Sequence, residues 1–233
     1  MIGHIAVTQL QFGPFPEDTL ALIVSGGHTS LLHVEDVARH IDVVGTTLDD
    51  APANASTRSL ACSVSPIRAD RISIVMRSWA IRMPSKCRRD SPKAKRASSI
   101  RTIQLFRRET AVARWIEEQQ AQGNEIPVDD VCASLADSVA TVLAKKAMRG
   151  CEQYDSKTLI VGGGFSANSQ LRAKLLEVGA EHGVEVRVPQ LKLCTDNGAM
   201  VAMLGVNLVE AGVAPSNPDF AIDSAMPLTK ISM

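Results

Sequence analysis

The run Leu20-Ala21-Leu22-Ile23-Val24 is apolar at every position and stops at Ser25-Gly26-Gly27-His28-Thr29-Ser30. That is the pattern of a short buried strand closed by a tight turn, with Leu31-Leu32-His33-Val34 as its return strand. A second run, Thr158-Leu159-Ile160-Val161, is broken by Gly162-Gly163-Gly164, and Ser166-Ala167-Asn168 leads into a helical stretch from Ser169 to Leu176. Val184-Glu185-Val186-Arg187-Val188-Pro189 alternates as a strand should. Helical spacing predicts further helices over Thr110 to Gln122, Val128 to Arg149 and Gly198 to Ala211. Strands interleaved with helices read as an α/β architecture. Both Gly-rich turns can take positive φ and leave backbone N–H groups free to approach an anion. Strand, Gly-rich turn and helix N-terminus together form a common way to hold a nucleotide, although many α/β folds use such turns only structurally.

The pattern fails between Ala51 and Thr110. Of the 25 Lys and Arg in the 233 residues, 14 fall in this stretch against Asp70, Asp90 and Glu109, and no Gly occurs between Gly45 and Gly123. Apart from Ile72-Ser73-Ile74-Val75-Met76, its apolar positions follow neither a period of two nor one of 3.6, so core packing is not written into it. A basic nucleic-acid arm spanning residues 58 to 108, a solvated linker and a shifted reading frame all fit that composition. Over the whole chain, 25 acidic residues balance the 25 basic ones, which excludes a uniformly basic or acidic protein and restricts any nucleic-acid contact to a local patch. Five Cys without regular spacing make neither a disulfide framework nor a zinc ribbon. No apolar run is long enough for a membrane helix, and Met1-Ile2-Gly3-His4 lacks the basic start of a signal peptide. The expectation is a reduced, soluble, cytoplasmic protein without a membrane partner.

Candidate chemistry is sparse. His4 and Asp196 have metal-ligand chemistry, though a lone His is usually structural and an Asp ahead of a helix is usually its N-cap. Asp49-Asp50 is a carboxylate pair of a kind that loops often simply solvate. Cys194 would need a nearby base or cation to be reactive.

Five segments in order carry a resemblance. They are Leu22-Ile23-Val24-Ser25-Gly26-Gly27-His28-Thr29-Ser30; Thr47-Leu48-Asp49-Asp50-Ala51; Thr110-Ala111-Val112-Ala113-Arg114-Trp115; Val161-Gly162-Gly163-Gly164 with Ser166-Ala167-Asn168; and Cys194-Thr195-Asp196-Asn197-Gly198-Ala199-Met200. The chain thereby resembles the tRNA N6-adenosine threonylcarbamoyltransferases, the TsaD family formerly labelled O-sialoglycoprotein endopeptidase or glycoprotease. The resemblance covers residues 3 to 52 and 110 to about 215.

It implies an actin-like, Hsp70-like ATPase fold of two α/β lobes around a ligand cleft. It also implies transfer of a threonylcarbamoyl group from threonylcarbamoyl-AMP to N6 of the adenosine beside the anticodon, in tRNAs that read codons starting with A. Carried onto this sequence, His4 and Asp196 would hold one divalent ion, Fe(II) or Zn(II). Ile23, Val24, Ser25, Gly26, Gly27 and Asn168 would contact the adenylate or an adenine nucleotide. Expected partners are tRNA and the bacterial TsaB- and TsaE-type proteins. The older peptidase label finds no nucleophile–base pair or zinc-protease motif here.

The departures shape three segments. The family's His-x-x-x-His pair would start one residue before Met1, so residues 1–52 are expected to be a remnant strand and Gly-loop part of the cleft, with most of the first lobe missing. The family's Gly-Glu-Ala-Phe-Asp-Lys run and Pro-Gly-Gly turn are absent after Asp-Asp-Ala. Synonymous codons for Ala53 to Arg71, read one base earlier, can encode an Asp-Lys, a helix and a Tyr-Pro-Gly-Gly-Pro turn. The same offset over Asp90 to Arg96 can give a Phe-Pro-Lys-Gly segment, and Phe106 to Glu109 in the other offset can give Phe-Ser-Gly-Val. Residues 53–109 are therefore expected to be an out-of-frame, poorly packed segment, and 110–233 a C-terminal α/β lobe. On this expectation the chain is an impaired transferase, with a non-catalytic nucleotide- or partner-binding fragment as the alternative.

Overall fold

The computed structural model describes residues 1–25, 29–47, 102–103, 115, 118–125 and 127–215. One six-stranded sheet organises them, in the order β4-β3-β2-β1-β5-β6. The strands are β1 (Thr19–Val24), β2 (Thr29–Asp36), β3 (His40–Thr47), β4 (Thr102–Ile103), β5 (Thr158–Gly162) and β6 (Glu185–Arg187). β1 to β3 form an antiparallel meander, with Val24 opposite Thr29 and His33 opposite Asp42. β5 and β6 extend the sheet in parallel, with Ile23 opposite Gly162. The expected strands at residues 20–24, 31–34 and 158–161 all lie within these elements, while the alternating run at 184–189 is strand only over Glu185–Arg187.

Both faces of β1 are buried, which is why its sequence is apolar from Leu20 to Val24 rather than alternating. One face, through Leu20, Leu22 and Val24, meets α3 (Val128–Gln153) and α4 (Ser169–His182). The residues α3 contributes, Val139, Ala140, Leu143, Ala144, Ala147, Met148 and Cys151, recur at helical spacing along one stripe. Gly150 completes that stripe: a Cβ there would lie 2.7 Å from Leu31 Cδ2, so the helix approaches the sheet through a position with no side chain. The other face, through Ala21 and Ile23, packs with Ile5 and Ala6 of the short helix α1 (Ile2–Ala6) and with Met203 and Leu204 of α5 (Gly198–Glu210). A second short helix, α2 (Gln9–Phe12), follows α1. Each fully buried Leu or Ile in these layers contributes roughly 1.5–3 kcal/mol of burial free energy.

The parallel pairing of β1 with β5 fuses residues 1–47 and 127–215 into one sheet. From the segment 53–109, only Thr102–Ile103 lies within the described residues, as a two-residue strand parallel to the end of β3. Asp49 and Asp50 fall outside them. Of the helix expected over Thr110 to Gln122, residues 115 and 118–121 are described and helical.

Candidate functional site

Because β1 and β5 are parallel neighbours, their C-terminal ends lie side by side, and the two Gly-rich turns leave the sheet at the same edge. In open α/β sheets this edge is where ligands bind. The turn after β5 is fitted to its neighbour without clearance. Gly163 has φ +87 and ψ 162, and a Cβ there would stand 2.4 Å from the Val24 carbonyl oxygen. Gly162 plays the same part for α1, since its Cβ would lie 3.0 Å from the His4 carbonyl oxygen and 3.1 Å from His4 Cβ. Glycine at both positions thus draws β1, the turn and His4 together.

His4 reaches Asp196 at this edge, with Nε2 3.2 Å from Oδ1. The two come from opposite ends of the chain. α1 carries His4 against α5, where a Cβ on Gly3 would be 3.3 Å from the Met200 carbonyl oxygen. Asp196 is presented by the turn that precedes α5. Its expected capping role belongs to its neighbour: Asn197 Oδ1 accepts the Met200 N–H at 3.0 Å, and Asn197 is the N-cap. The Asp196 carboxylate, 95% exposed, is therefore left for other work, while the His4 side chain is 12% exposed. Burial holds the His4 imidazole below its ordinary pKa, and the N-terminal ammonium adds to the drop against the opposing pull of Asp196. A neutral imidazole is the form that ligates metal.

The donor set fits one divalent ion. Ligand atoms about 2.0–2.2 Å from a metal stand about 2.8–3.1 Å apart at adjacent octahedral positions and about 3.3–3.6 Å apart at tetrahedral ones, and the His4–Asp196 separation of 3.2 Å lies between the two, within a small side-chain rotation of either. His4 Nδ1 is buried without a hydrogen-bond partner, so no hydrogen bond fixes the imidazole's tautomer from that side.

The other expected contacts behave differently. Ile23 and Val24 bury their side chains in the two cores, at 1% and 0% exposure, leaving only backbone atoms to meet a ligand. Ser25 follows at the strand's end, and Gly26 and Gly27 lie outside the described residues. Asn168 spends its Oδ1 on the N-cap of α4, accepting the Leu171 N–H at 2.9 Å, so its amide nitrogen is the part left to donate. Cys194 is buried beside Arg172, whose Nη2 lies 3.2 Å from Sγ. Arg172 also donates from Nε to the Ser166 carbonyl at 2.7 Å and from Nη2 to the Pro189 carbonyl. One guanidinium thereby ties the Gly-rich turn to the segment that carries Asp196. Neither Arg172 nor the packing role of Gly162 was legible in sequence spacing, because both act on partners distant along the chain.

Comparison with known proteins places this geometry in context. Residues 1–203 match the TsaD family model, described as tRNA N6-adenosine threonylcarbamoyltransferase. The chain is similar over its whole length to proteins of that name from Bifidobacterium adolescentis, at 71% identity, and Bifidobacterium longum, at 67%, and it spans 67% of the length of each. A Corynebacterium aurimucosum protein of the same name is 38% identical over 92% of this chain and 61% of its own. Two solved structures are similar at low identity. Component A of the Acidaminococcus fermentans (R)-2-hydroxyglutaryl-CoA dehydratase has 15% identity and a TM-score of 0.48, covering 90% of this chain and 68% of its own. The activator of the Clostridium difficile 2-hydroxyisocaproyl-CoA dehydratase, with bound ADPNP, has 11% and 0.47, covering 93% and 70%.

Proposed function

Because the chain belongs to the TsaD family of tRNA N6-adenosine threonylcarbamoyltransferases, and with it to the actin-like ATPase fold class, we propose that the edge formed by His4, Asp196 and the Gly162–Gly164 turn is its metal and adenylate site. The observation that carries this reading is the meeting of His4 with Asp196, two residues without local reason to meet, at the ends of the two strands that bear the Gly-rich turns. His4 Nε2 and Asp196 Oδ1 would hold a divalent ion, Fe(II) in preference to Zn(II), and when bound the ion supplies Lewis-acid polarisation of the carbamoyl carbonyl. The substrate is threonylcarbamoyl-AMP. N6 of the tRNA adenosine attacks its carbamoyl carbon, the carbon–oxygen bond to the phosphate breaks, AMP leaves with that electron pair, and the proton lost from N6 passes to the departing phosphate or to water. Backbone N–H groups of the Gly-rich turns and the Asn168 amide stabilise the phosphate as it gains charge. TsaB- and TsaE-type proteins are the partners and the cytoplasm the compartment; no described helix is long and apolar enough to cross a membrane.

The same reading makes this chain a weak catalyst. Residues 53–109 contain no Gly, and hence no Pro-Gly-Gly turn, and their composition fits a shifted frame.

The deciding experiment combines Fe(II) and Zn(II) binding by the purified chain with single-turnover transfer to tRNA. Expected are one ion lost on His4→Asn or Asp196→Asn, and transfer that rises at least tenfold when residues 53–109 are replaced by the frame-restored translation. Metal binding indifferent to both substitutions would overturn the site. Full transfer by the unaltered chain would overturn the impairment.

A further inference from the structure

A second group of ligating side chains gathers at the other end of the same sheet. His33 pairs with Leu20 near the start of β1, whereas the Gly-rich loop follows Val24. Four residues of strand, about 13 Å, separate the two places. Opposite His33 on β3 is Asp42, and opposite Asp36 is His40. With Glu35, these side chains meet on the face that α3 covers. His33 Nδ1 is 3.8 Å from Glu35 Oε1, while His40 Nε2 is 3.8 Å from Glu35 Oε2 and 3.4 Å from Asp42 Oδ2. One ligand atom each from His33, Glu35 and Asp42 lie within 4.8 Å of one another.

The arrangement around His33 separates this group from an ordinary exposed charge cluster. Its side chain is only 6% exposed, and its ring stands 4.5 Å, centroid to centroid, from that of Tyr154. On the far side, Nε2 is 3.2 Å from Asp18 Oδ1. Asp18 is held at φ +56, a left-handed conformation that few residues other than Gly adopt and that Asp tolerates, just where the chain enters β1. A carboxylate can only accept, so in the neutral imidazole Nε2–H donates to Asp18 and the lone pair sits on Nδ1, 3.8 Å from Glu35 Oε1. Carboxylate, imidazole and open coordination space in that order are the outer-sphere pattern of histidine metal ligands. Glu35, His40 and Asp42 are each more than half exposed, so their side chains can close the remaining distance by rotation.

We propose that His33 Nδ1, Glu35 and Asp42 form a second divalent-metal site, with His40 as fourth ligand and Asp18 as the residue that fixes the His33 tautomer. Imidazole plus carboxylate selects an ion of the zinc, cobalt or nickel class over magnesium or calcium. Bound there, the ion clips the β2–β3 hairpin to the entry of β1 and leaves the Gly-rich edge free for chemistry. The site is independent of the transfer reaction.

Cobalt(II) is the probe. The whole chain carrying His4→Asn and Asp196→Asn is titrated with Co(II) and followed by visible d–d absorption, with Zn(II) competition and equilibrium dialysis for stoichiometry. One tightly held equivalent is expected to remain. Adding Glu35→Gln or Asp42→Asn should weaken it at least tenfold, and Asp18→Asn by about 10- to 100-fold. Both ligand changes fall on exposed side chains, so matched circular dichroism separates lost ligation from lost fold. Absence of a cobalt spectrum in the His4→Asn, Asp196→Asn chain would overturn the proposal. So would a spectrum unmoved by Glu35→Gln and Asp42→Asn, or one dominated by thiolate-to-cobalt charge transfer.

Discussion

Replacing Gly163 by Ala tests whether the Gly-rich turn is a close-packed joint between β1 and β5 or only a flexible loop. Two costs are expected. The backbone, at φ +87 and ψ 162, lies in a region that is essentially Gly-only, which costs about 1–3 kcal/mol for any other residue. The new Cβ would also sit 2.4 Å from the Val24 carbonyl oxygen and 2.9 Å from its carbon. Val24 is fully buried in the core, so the strand can yield only by disturbing its packing, which costs about another 1–3 kcal/mol. Together these make about 2–6 kcal/mol, a large share of the 5–15 kcal/mol typical of a folded domain. At about 2–4 °C per kcal/mol the melting temperature should fall by on the order of 10 °C. Gly183→Ala is the control: its φ of +66 carries backbone strain, but nothing lies within 4 Å of its Cβ position. Both variants are measured by urea denaturation and thermal circular dichroism. Equal losses, within about 0.5 kcal/mol, would refute the reasoning, because only strain and not contact would then act at Gly163.

Other expectations follow from the same geometry. Asn168→Ala removes the cap of α4 and should cost about 1 kcal/mol in urea denaturation, whereas Asn168→Asp keeps the accepting oxygen and should lose less than half of that. If both also weaken adenine nucleotide binding, measured by fluorescence titration, the amide nitrogen is the contact. Arg172→Lys leaves a single ammonium to serve Ser166, Pro189 and Cys194, and should lower stability by roughly 1.5–3 kcal/mol on chemical denaturation. Cys151 is buried in the α3 stripe, and burial pushes its thiol up to about 12. It should resist iodoacetamide at pH 8 in the native chain and react once urea unfolds it, as peptide mass mapping would read. Resequencing the gene across the codons for Leu48 to Trp115 should find a base inserted or deleted near Ala53 and another near Glu109. Reads that reproduce the present sequence would remove the shifted frame and leave the basic segment to be explained as protein.

Much of the framework is written locally. An apolar run bounded by glycines has one stable use, a strand buried on both faces, and β1 and β5 form where those runs lie. The helices α4 and α5 follow from helical spacing opened by the Asn caps Asn168 and Asn197, whereas α3 follows from spacing alone and extends to Gln153 because the stripe continues through Met148 and Cys151. β3 was less legible: Val43, on the outer side, is as apolar as Val44 beneath it, and irregular pairing with β2 shifts the alternation. The ordered motifs likewise carried the family without any structure.

What the sequence could not place is whatever depends on which strands become neighbours. Pairing β1 in parallel with β5 joins segments from distant parts of the chain, and no local propensity encodes that choice. It alone aligns the two Gly-rich turns and makes Gly163 a contact with Val24. The packing of α1 and α5 on one face of that sheet then sets His4 against Asp196, and the competition for the α5 cap, won by Asn197, leaves the Asp196 carboxylate free. The His33 cluster has the same origin, since β2–β3 register and the turn before β1 assemble it from residues that look unrelated along the chain. Backbone preference and burial act within a few residues and can be read from them. Ligand geometry is fixed by non-local contacts of a few ångströms, which exist only once the chain has folded.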